Sequence, residues 1–544
     1  MLLKNVKVIR PKTTKIQKRN GIGYVYQVIG KSYKKDKKYT VENRKLIGKM
    51  IDEEWMVPNE YFEQYYPDVC VEQETPEFSD TLRIGCFLVV QKLFRDLQIE
   101  DVLLSLFGDL GLFIEDIVSY MITNESCTFQ YYSNFMRNHP VVDKNIRDDT
   151  QISRLLKYNI KEEDINLFLR AWNQMNNTKE CIYVGYDSTN FNTNAYGIEL
   201  ADYGHPKVDE GLPQYNLAYA VNQKDSTPLF YELYDGSVID NTELEIMLEE
   251  AKEYGHEKLG VLMDRGYISE KNIKALRTKG YEYILMMKQN QRICKEIIEE
   301  YGAAVQSLEG YYIGEHGVYG TTVKKQLYGQ ETNIHVYYDD IRASEEKAAL
   351  MSRYEMWEKE IEKKVAKRIA TEGEMKKYRK VFKLKYDQNG YLVAYQRNSR
   401  YIKEEIRNLG FFFIITSEEM SASKALDIYR GRDNIEKMFR SLKSGIDFNK
   451  ARVHTTESLK SKVFVTFIAM IVRNELFQKA EELRKKNRKA YTVPGMISEL
   501  ENIECTRNSV GRYRRKYALT AKLILKQFDM DEKYIDRSIG EFSY

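Results

Sequence analysis

The stretch Tyr429 to Lys443 (YRGRDNIEKMFRSLK) constrains this chain more than any other. Tyr429, Arg432, Glu436 and Lys443 are spaced by three, four and seven residues, steps that return to one face of an α-helix. Ile428, Ile435, Met438 and Leu442 supply an apolar side at helical spacing. Ser421 and Ser423 offer N-caps just after the strand-like run Phe411 to Ile415. The spacing therefore predicts a packed helix that presents one carboxylate among two cations and a phenol. Ordinary ion pairs, Glu436 with Arg432 or Arg440, would give a plain amphipathic helix the same pattern. The stretch gains chemical meaning only with partners elsewhere.

Two aspartates upstream are such partners. In Ile182-Tyr183-Val184-Gly185-Tyr186-Asp187, the Val, Ile and Tyr content predicts a strand. Alternation puts Ile182, Val184 and Tyr186 on one face and Asp187 on the other. The second run, Leu259-Gly260-Val261-Leu262-Met263-Asp264-Arg265-Gly266, is continuously apolar up to an acid and then a glycine. That is how a buried central strand meets its C-terminal loop. An acid at a strand end is most often a cap or turn residue, so each aspartate alone carries little. Two strand aspartates followed by the Glu436 helix carry more.

Together these blocks resemble bacterial insertion-sequence transposases of the DDE type, in the branch marked by Y-x2-R-x3-E-x6-K. Tyr429, Arg432, Glu436 and Lys443 fill all four positions. Gly185 to Asn190 is similar to the family's first-aspartate motif and Met263 to Tyr267 to its second. The likeness spans about residues 179 to 475. It implies a ribonuclease-H-like mixed α/β fold in which Asp187, Asp264 and Glu436 hold two Mg²⁺ or Mn²⁺ ions. Hard cations call for such oxygen ligands, and a two-metal site suits in-line attack on a phosphodiester. The resemblance also implies that Tyr429, Arg432, Lys443 and Arg265 contact double-stranded DNA, at the element's ends and at the target. It implies cleavage and strand transfer, with hairpin ends in many members, by a homodimer in the synaptic complex. A hydrolytic two-metal nuclease of the same fold, or a domesticated DNA-binding protein that no longer cuts, are the rival readings. Loss of an acid would favour the latter, and all three acids are present.

Charge distribution agrees. The net charge is only +3, yet Met1 to Lys49 holds 15 Lys/Arg against 2 Asp/Glu, a local +13 that leaves −10 for the rest. Such asymmetry points to a basic module for a polyanion; a solvated tail is the plainer alternative. Gly21 to Ile29 reads as a glycine turn into a strand and argues for folded structure. The six cysteines are scattered, without a C-x2-C pair, so a zinc site is not expected and reduced cytosolic thiols are. No early apolar segment predicts a signal peptide. The longest apolar run, Val463 to Val472, is about half of what a bilayer needs and predicts a buried helix behind the Glu436 helix. These points predict a cytoplasmic protein with no membrane partner, at the nucleoid when on DNA. Two false leads fall away: Gly30-Lys31-Ser32 ends like a phosphate-binding loop, but Val25 occupies the required glycine position. His454 lacks the arginine and tyrosine set of a tyrosine recombinase.

The expected organisation is a basic strand-containing module over 1–75 and a helical region over 76–178. The core's first part follows over 179–292, an inserted α+β domain over 293–405, the core's second part over 406–475, and a basic helical region over 476–544. The 171 residues between Asp264 and Glu436 exceed any plausible loop and require the insertion. Within it, Ser344 to Ile369 predicts a charged helix with Leu350, Tyr354, Trp357, Ile361 and Val365 along one seam. Trp357 could stack on an extruded base, but its seam position favours a core role.

Overall fold

A computed structural model describes residues 6–541 other than 20, 35–38, 68, 70–71, 74–80, 144, 146, 178–180, 205–210, 239, 257, 264–267, 368–374, 488–490 and 509–510. The basic N-terminal stretch folds into strands Val6–Ile9 (β1), Lys15–Arg19 (β2), Ile22–Lys34 (β3), Tyr39–Met50 (β4), Trp55–Pro58 (β5) and Glu72–Gln73 (β6), in the order β2-β3-β4-β5-β1-β6. Gly21, at φ +79°, makes the expected turn into β3, a conformation that costs glycine little. Val8, Val25, Ile47, Met56 and Phe62 form the small core, with Tyr61 and Tyr66 beside it. Alternation along β5 turns Met56 inward and leaves Trp55 half-buried, so Met56 and not the larger Trp55 fills the core.

A short strand, Thr81–Arg83 (β7), leads into helices from Gly85 to Asn176, the region where apolar residues recur at threes and fours. The chain then builds a nine-stranded mixed sheet. Its strands are Ile182–Asn192 (β8), Gln214–Asn222 (β9), Pro228–Asp235 (β10), Leu259–Met263 (β11), Glu282–Met286 (β12), Tyr312–Ile313 (β13), Val318–Leu327 (β14), Gln330–Tyr338 (β15) and, after Phe382–Tyr386 (β16) and Leu392–Arg397 (β17), Phe411–Thr416 (β18). The order is β10-β9-β8-β11-β12-β18-β15-β14-β13. β8, β9 and β10 form an antiparallel meander, while β11 runs parallel to β8 and β12 parallel to β11. Helices Asp240–Glu253 and Glu270–Lys279 make the crossovers to β11 and β12, as parallel neighbours require. All five residues of β11 are buried, as its uninterrupted apolar run predicts.

β18 is buried at all six positions and needs a partner on each edge. β12 supplies one and β15 the other, both antiparallel. Strands β13 to β15 thus extend the central sheet. The remainder of 293–405, helix Asp340–Lys367, the β16–β17 hairpin and helix Ser399–Arg407, has its own apolar cluster around Leu350, Tyr354, Ile361, Phe382 and Leu392. Trp357 is half-buried and packs against that cluster, with ring centroids 6.0 Å from Tyr354 and 5.7 Å from Tyr378.

Helix Thr456–Asn487 carries the apolar run Val463 to Val472, which is fully buried. No helix among the described residues is long and apolar enough to cross a membrane. Beyond it, the stretch read as helical also carries a hairpin, Glu504–Asn508 (β19) and Gly511–Arg514 (β20). β19 pairs with β7 from the far end of the chain. Its short, mostly polar sequence, ECTRN, has no clear apolar run to announce a strand.

Candidate active site

Strand β8 sets the site's base. Gly185, Asp187, Thr189 and Phe191 are two apart and share one face, and three of the four have identified neighbours above them. The Cβ of Ile435 lies 3.8 Å from where a Cβ on Gly185 would stand. Lys443 Nζ donates to Thr189 Oγ1 at 2.7 Å and lies 5.3 Å from the Phe191 ring centroid. Asp187, half-buried, is two residues from each of the Gly185 and Thr189 contacts. It therefore faces the segment that runs from Ile435 to Lys443, which contains Glu436. Tyr219 lies opposite Asp187 on β9, and its ring packs edge-on to Phe439 and stacks with Phe467. Burial pushes the Tyr219 phenol well above its ordinary pKa, so this wall stays neutral.

The Glu436 segment is not one helix. Helix Ala422–Arg430, capped by Ser421 Oγ accepting from the Lys424 amide at 3.2 Å, stops at Gly431. Helix Asp433–Arg440 then begins, and a π-turn, Ser441–Gly445, follows. Between the helices the amides of Arg432, Asn434 and Ile435 each bond the carbonyl three residues back, the tighter pattern of a 3₁₀ turn. The predicted continuous stripe is thus broken. The physical cause is a docking contact: a Cβ on Gly431 would lie 2.2 Å from Gln223 Nε2 and 2.3 Å from its Cγ. Asn434 Nδ2 also donates to the Gln223 carbonyl at 3.0 Å, and the Gln223 amide bonds the Tyr183 carbonyl at 2.8 Å. The turn is pinned to the end of β9, which is pinned to β8.

Arg432, just before the second helix, pairs with Glu436 at 2.8 Å; Glu436 is half exposed while Arg432 is mostly covered. Lys443 sits in the π-turn. That turn is held from below by Arg473, 4% exposed, whose Nε donates to Ser441 Oγ at 2.9 Å and whose Nη2 pairs with Glu125 at 2.6 Å. The Arg473 guanidinium lies flush against Gly445, with Nη2 2.5 Å from where a Cβ would be. Tyr429 lies in the last turn of the first helix, buried beside Leu262, Ile284, Phe412 and Leu426. Those residues lie on the Asp187 face, since Leu262 pairs with Gly185 in the β8–β11 register.

Asp187, Arg432, Glu436 and Lys443 are therefore gathered on one face of the sheet, and Tyr429 is buried in the same layer further along it. Asp264 and Arg265 lie outside the described residues. β11, which ends at Met263, is the immediate parallel neighbour of β8. Among the described residues no three His, Cys, Asp or Glu side chains assemble as metal ligands. The donors that Asp187 and Glu436 offer are carboxylate oxygens, suited to hard cations and unsuited to soft ones. Gln223 and Arg473 position this site without having been legible in the sequence, and Thr189, though inside the first-aspartate block, carries no assigned role there. Each acts through a partner far along the chain, and no spacing rule marks such pairs.

No curated protein matches the sequence. Among solved structures, a piggyBac transposase synaptic complex with hairpin DNA is similar at 8% identity and a TM-score of 0.33, over 80% of this chain and 76% of that one. The family model for the transposase DDE domain matches residues 184–472, from the start of β8 into the long helix behind the site. That span is more than half of the sequence, and the chain belongs to the transposase DDE domain family.

Proposed function

We propose that this protein is a DNA transposase that binds the ends of its own insertion sequence and moves it by metal-dependent cleavage and strand transfer. The observation that carries the reading is the docking of the Glu436 helix onto β8 by contacts on both sides of Asp187, Ile435 at Gly185 and Lys443 at Thr189. The strand order β10-β9-β8-β11-β12 supports a ribonuclease-H-like core. Asp264 directly follows the last residue of β11, and neighbouring strands lie about 4.8 Å apart. In this reading Asp187, Asp264 and Glu436 hold two Mg²⁺ or Mn²⁺ ions. Such ions activate the attacking oxygen and stabilise the leaving one.

The chain's own residues orient the substrate. Arg432 neutralises Glu436 in the present structure; once that carboxylate is engaged, the guanidinium can take a phosphate through two parallel N–H···O bonds. Lys443, a point charge held by Thr189, fixes a neighbouring phosphate. Arg265 completes the DNA contacts, and buried Tyr429 supports the layer beneath the strand end. Two ends must be brought together for strand transfer, which calls for a homodimer on DNA. Hairpin ends belong to this reading as its finer step.

The test uses DNA flanking the gene that carries the inverted repeats. Wild type should cleave it with Mg²⁺ or Mn²⁺. Asp187→Asn, Asp264→Asn and Glu436→Gln should abolish cleavage while still binding the ends. Wild-type cleavage by Glu436→Gln would refute the assignment.

A further inference from the structure

A cavity lined by three cations lies beyond the C-terminal end of β8. Its volume is about 380 Å³, and it opens between the Phe129 turn, helix Asp149–Arg154 and the first turns of helix Thr456–Asn487. Lys462 lines it while being only 2% exposed. Among the described residues its ammonium has no ion pair and no hydrogen-bond acceptor; it rests over the Phe129 ring at 4.6 Å. Burial pushes its pKa down to about 8. A buried cation without an acceptor costs stability unless something compensates it.

The surroundings are built for an anion. Arg452 lines the cavity in a left-handed conformation, φ +52°, uncommon for a residue with a Cβ. It is held there by bonds to Thr128 Oγ1 and to Asp447, the latter at 3.2 Å. Asp447 is thereby occupied by Arg452. Lys157 adds a third cation to the lining, and Asp149 is the acid among them. Thr455 Oγ1 accepts from the Ser458 amide at 3.3 Å, so the cavity also faces the positive end of a long helix.

Position ties this cavity to the reaction site. Phe191, four residues after Asp187, packs edge-on against Phe448 at 5.4 Å, and the segment leaving Lys443 runs through Asp447 to Arg452. Four residues of strand span about 13 Å, comparable to about four nucleotides of duplex rise. Tyr131 and Tyr158, next in the chain to lining residues Gln130 and Lys157, are 57% and 66% exposed, and offer ring faces to unpaired bases.

We propose that this cavity binds a backbone phosphate of a DNA strand whose reacting phosphate lies at Asp187 and Glu436, with Lys462, Arg452 and Lys157 as its cationic contacts. This rests on the DNA-cleaving reading above. Full-length protein is titrated with fluorescent oligo(dT) over a range of KCl concentrations. Lys462→Met should weaken binding about tenfold at low salt and reduce the slope of log K against log[salt] by about 0.7. Lys157→Ala, at an exposed position where folding is not at stake, should weaken binding in the same direction. If wild type binds with a normal salt slope and both variants match it, this inference is overturned and the DNA reading stands. If wild type shows no salt-dependent binding of oligo(dT), this inference is overturned, while the reading for duplex ends stands or falls on the cleavage assay above. If inorganic phosphate raises the melting temperature of wild type but not of Lys462→Met while oligo(dT) binds both equally, the cavity takes free phosphate and the DNA assignment is overturned.

Discussion

Gly431→Ala separates a helix-propensity argument from a packing argument. Gly431 has φ −61°, an ordinary helical value, so nothing in the backbone demands glycine. Propensity alone predicts that alanine there stabilises by about 1 kcal/mol. The structure predicts the opposite. The new Cβ would stand 2.2, 2.3 and 2.6 Å from Nε2, Cγ and Cδ of Gln223, so the whole side chain must leave, not just its tip. Overpacking of this kind costs about 1–3 kcal/mol, which outweighs the gain. If the turn backs away instead, Glu436 moves relative to Asp187, and a displacement of about 1 Å can cost about a hundredfold in rate. Gln223→Ala removes all three clashing atoms while keeping the backbone carbonyl that Asn434 bonds. Gly431→Ala should therefore lower the melting temperature and end-cleavage rate. In the Gln223→Ala background the same change should be neutral or stabilising, leaving a coupling of about 1–3 kcal/mol. Wild-type stability and rate in Gly431→Ala, or no recovery in the double variant, would refute the docking argument.

Burial holds the His256 and His335 imidazoles down at about 4. Below about 6.5 the unfolded chain takes protons that the folded chain refuses, so stability should fall as pH drops from about 6.5 to about 4, by about 3 kcal/mol per histidine at the low end. His256→Gln should remove its share of that slope in pH-dependent melting; an unchanged slope would contradict it. Burial pushes the Glu115 carboxyl well above its ordinary value, so stability should decline as pH rises above about 4.5, where only the unfolded chain ionises; Glu115→Gln should flatten that decline, and melting curves at pH 5 and pH 8 check it. Lys18 and Arg19 lie on β2, an edge strand exposed throughout. Replacing both with Ser should reduce the salt slope of duplex binding by up to about 1.8; an unchanged slope would leave them the role of protecting the edge.

What could be read in advance was local. The apolar run ending at Met263 has one structural solution, and β11 is buried throughout. The alternation that sets Asp187 opposite Tyr186 holds: Tyr186 OH donates to buried Glu232 at 2.7 Å on the other face. The Val463 to Val472 run predicted a buried helix because no polar residue but Thr466 interrupts it. Misreadings arose where distant contacts override local pattern. Helical spacing treats Tyr429 to Lys443 as a single run, because Gly431 is only a weak breaker in isolation; Gln223 makes the break. The placement of Lys443 depends on Arg473 and Thr189, and the joining of β13 to β15 to the main sheet depends on the free edge of β18. β7 and β19 are too short and polar to announce their pairing, which closes a loop of most of the chain.

The central claim is that Asp187 and Glu436, with Asp264, share hard cations. Mn²⁺ binding to full-length protein on duplex DNA, followed by electron paramagnetic resonance, tests it most directly. Wild type should hold two ions per chain, and Asp187→Asn, Asp264→Asn and Glu436→Gln should each lose at least one. Unchanged Mn²⁺ binding in all three variants would contradict the account.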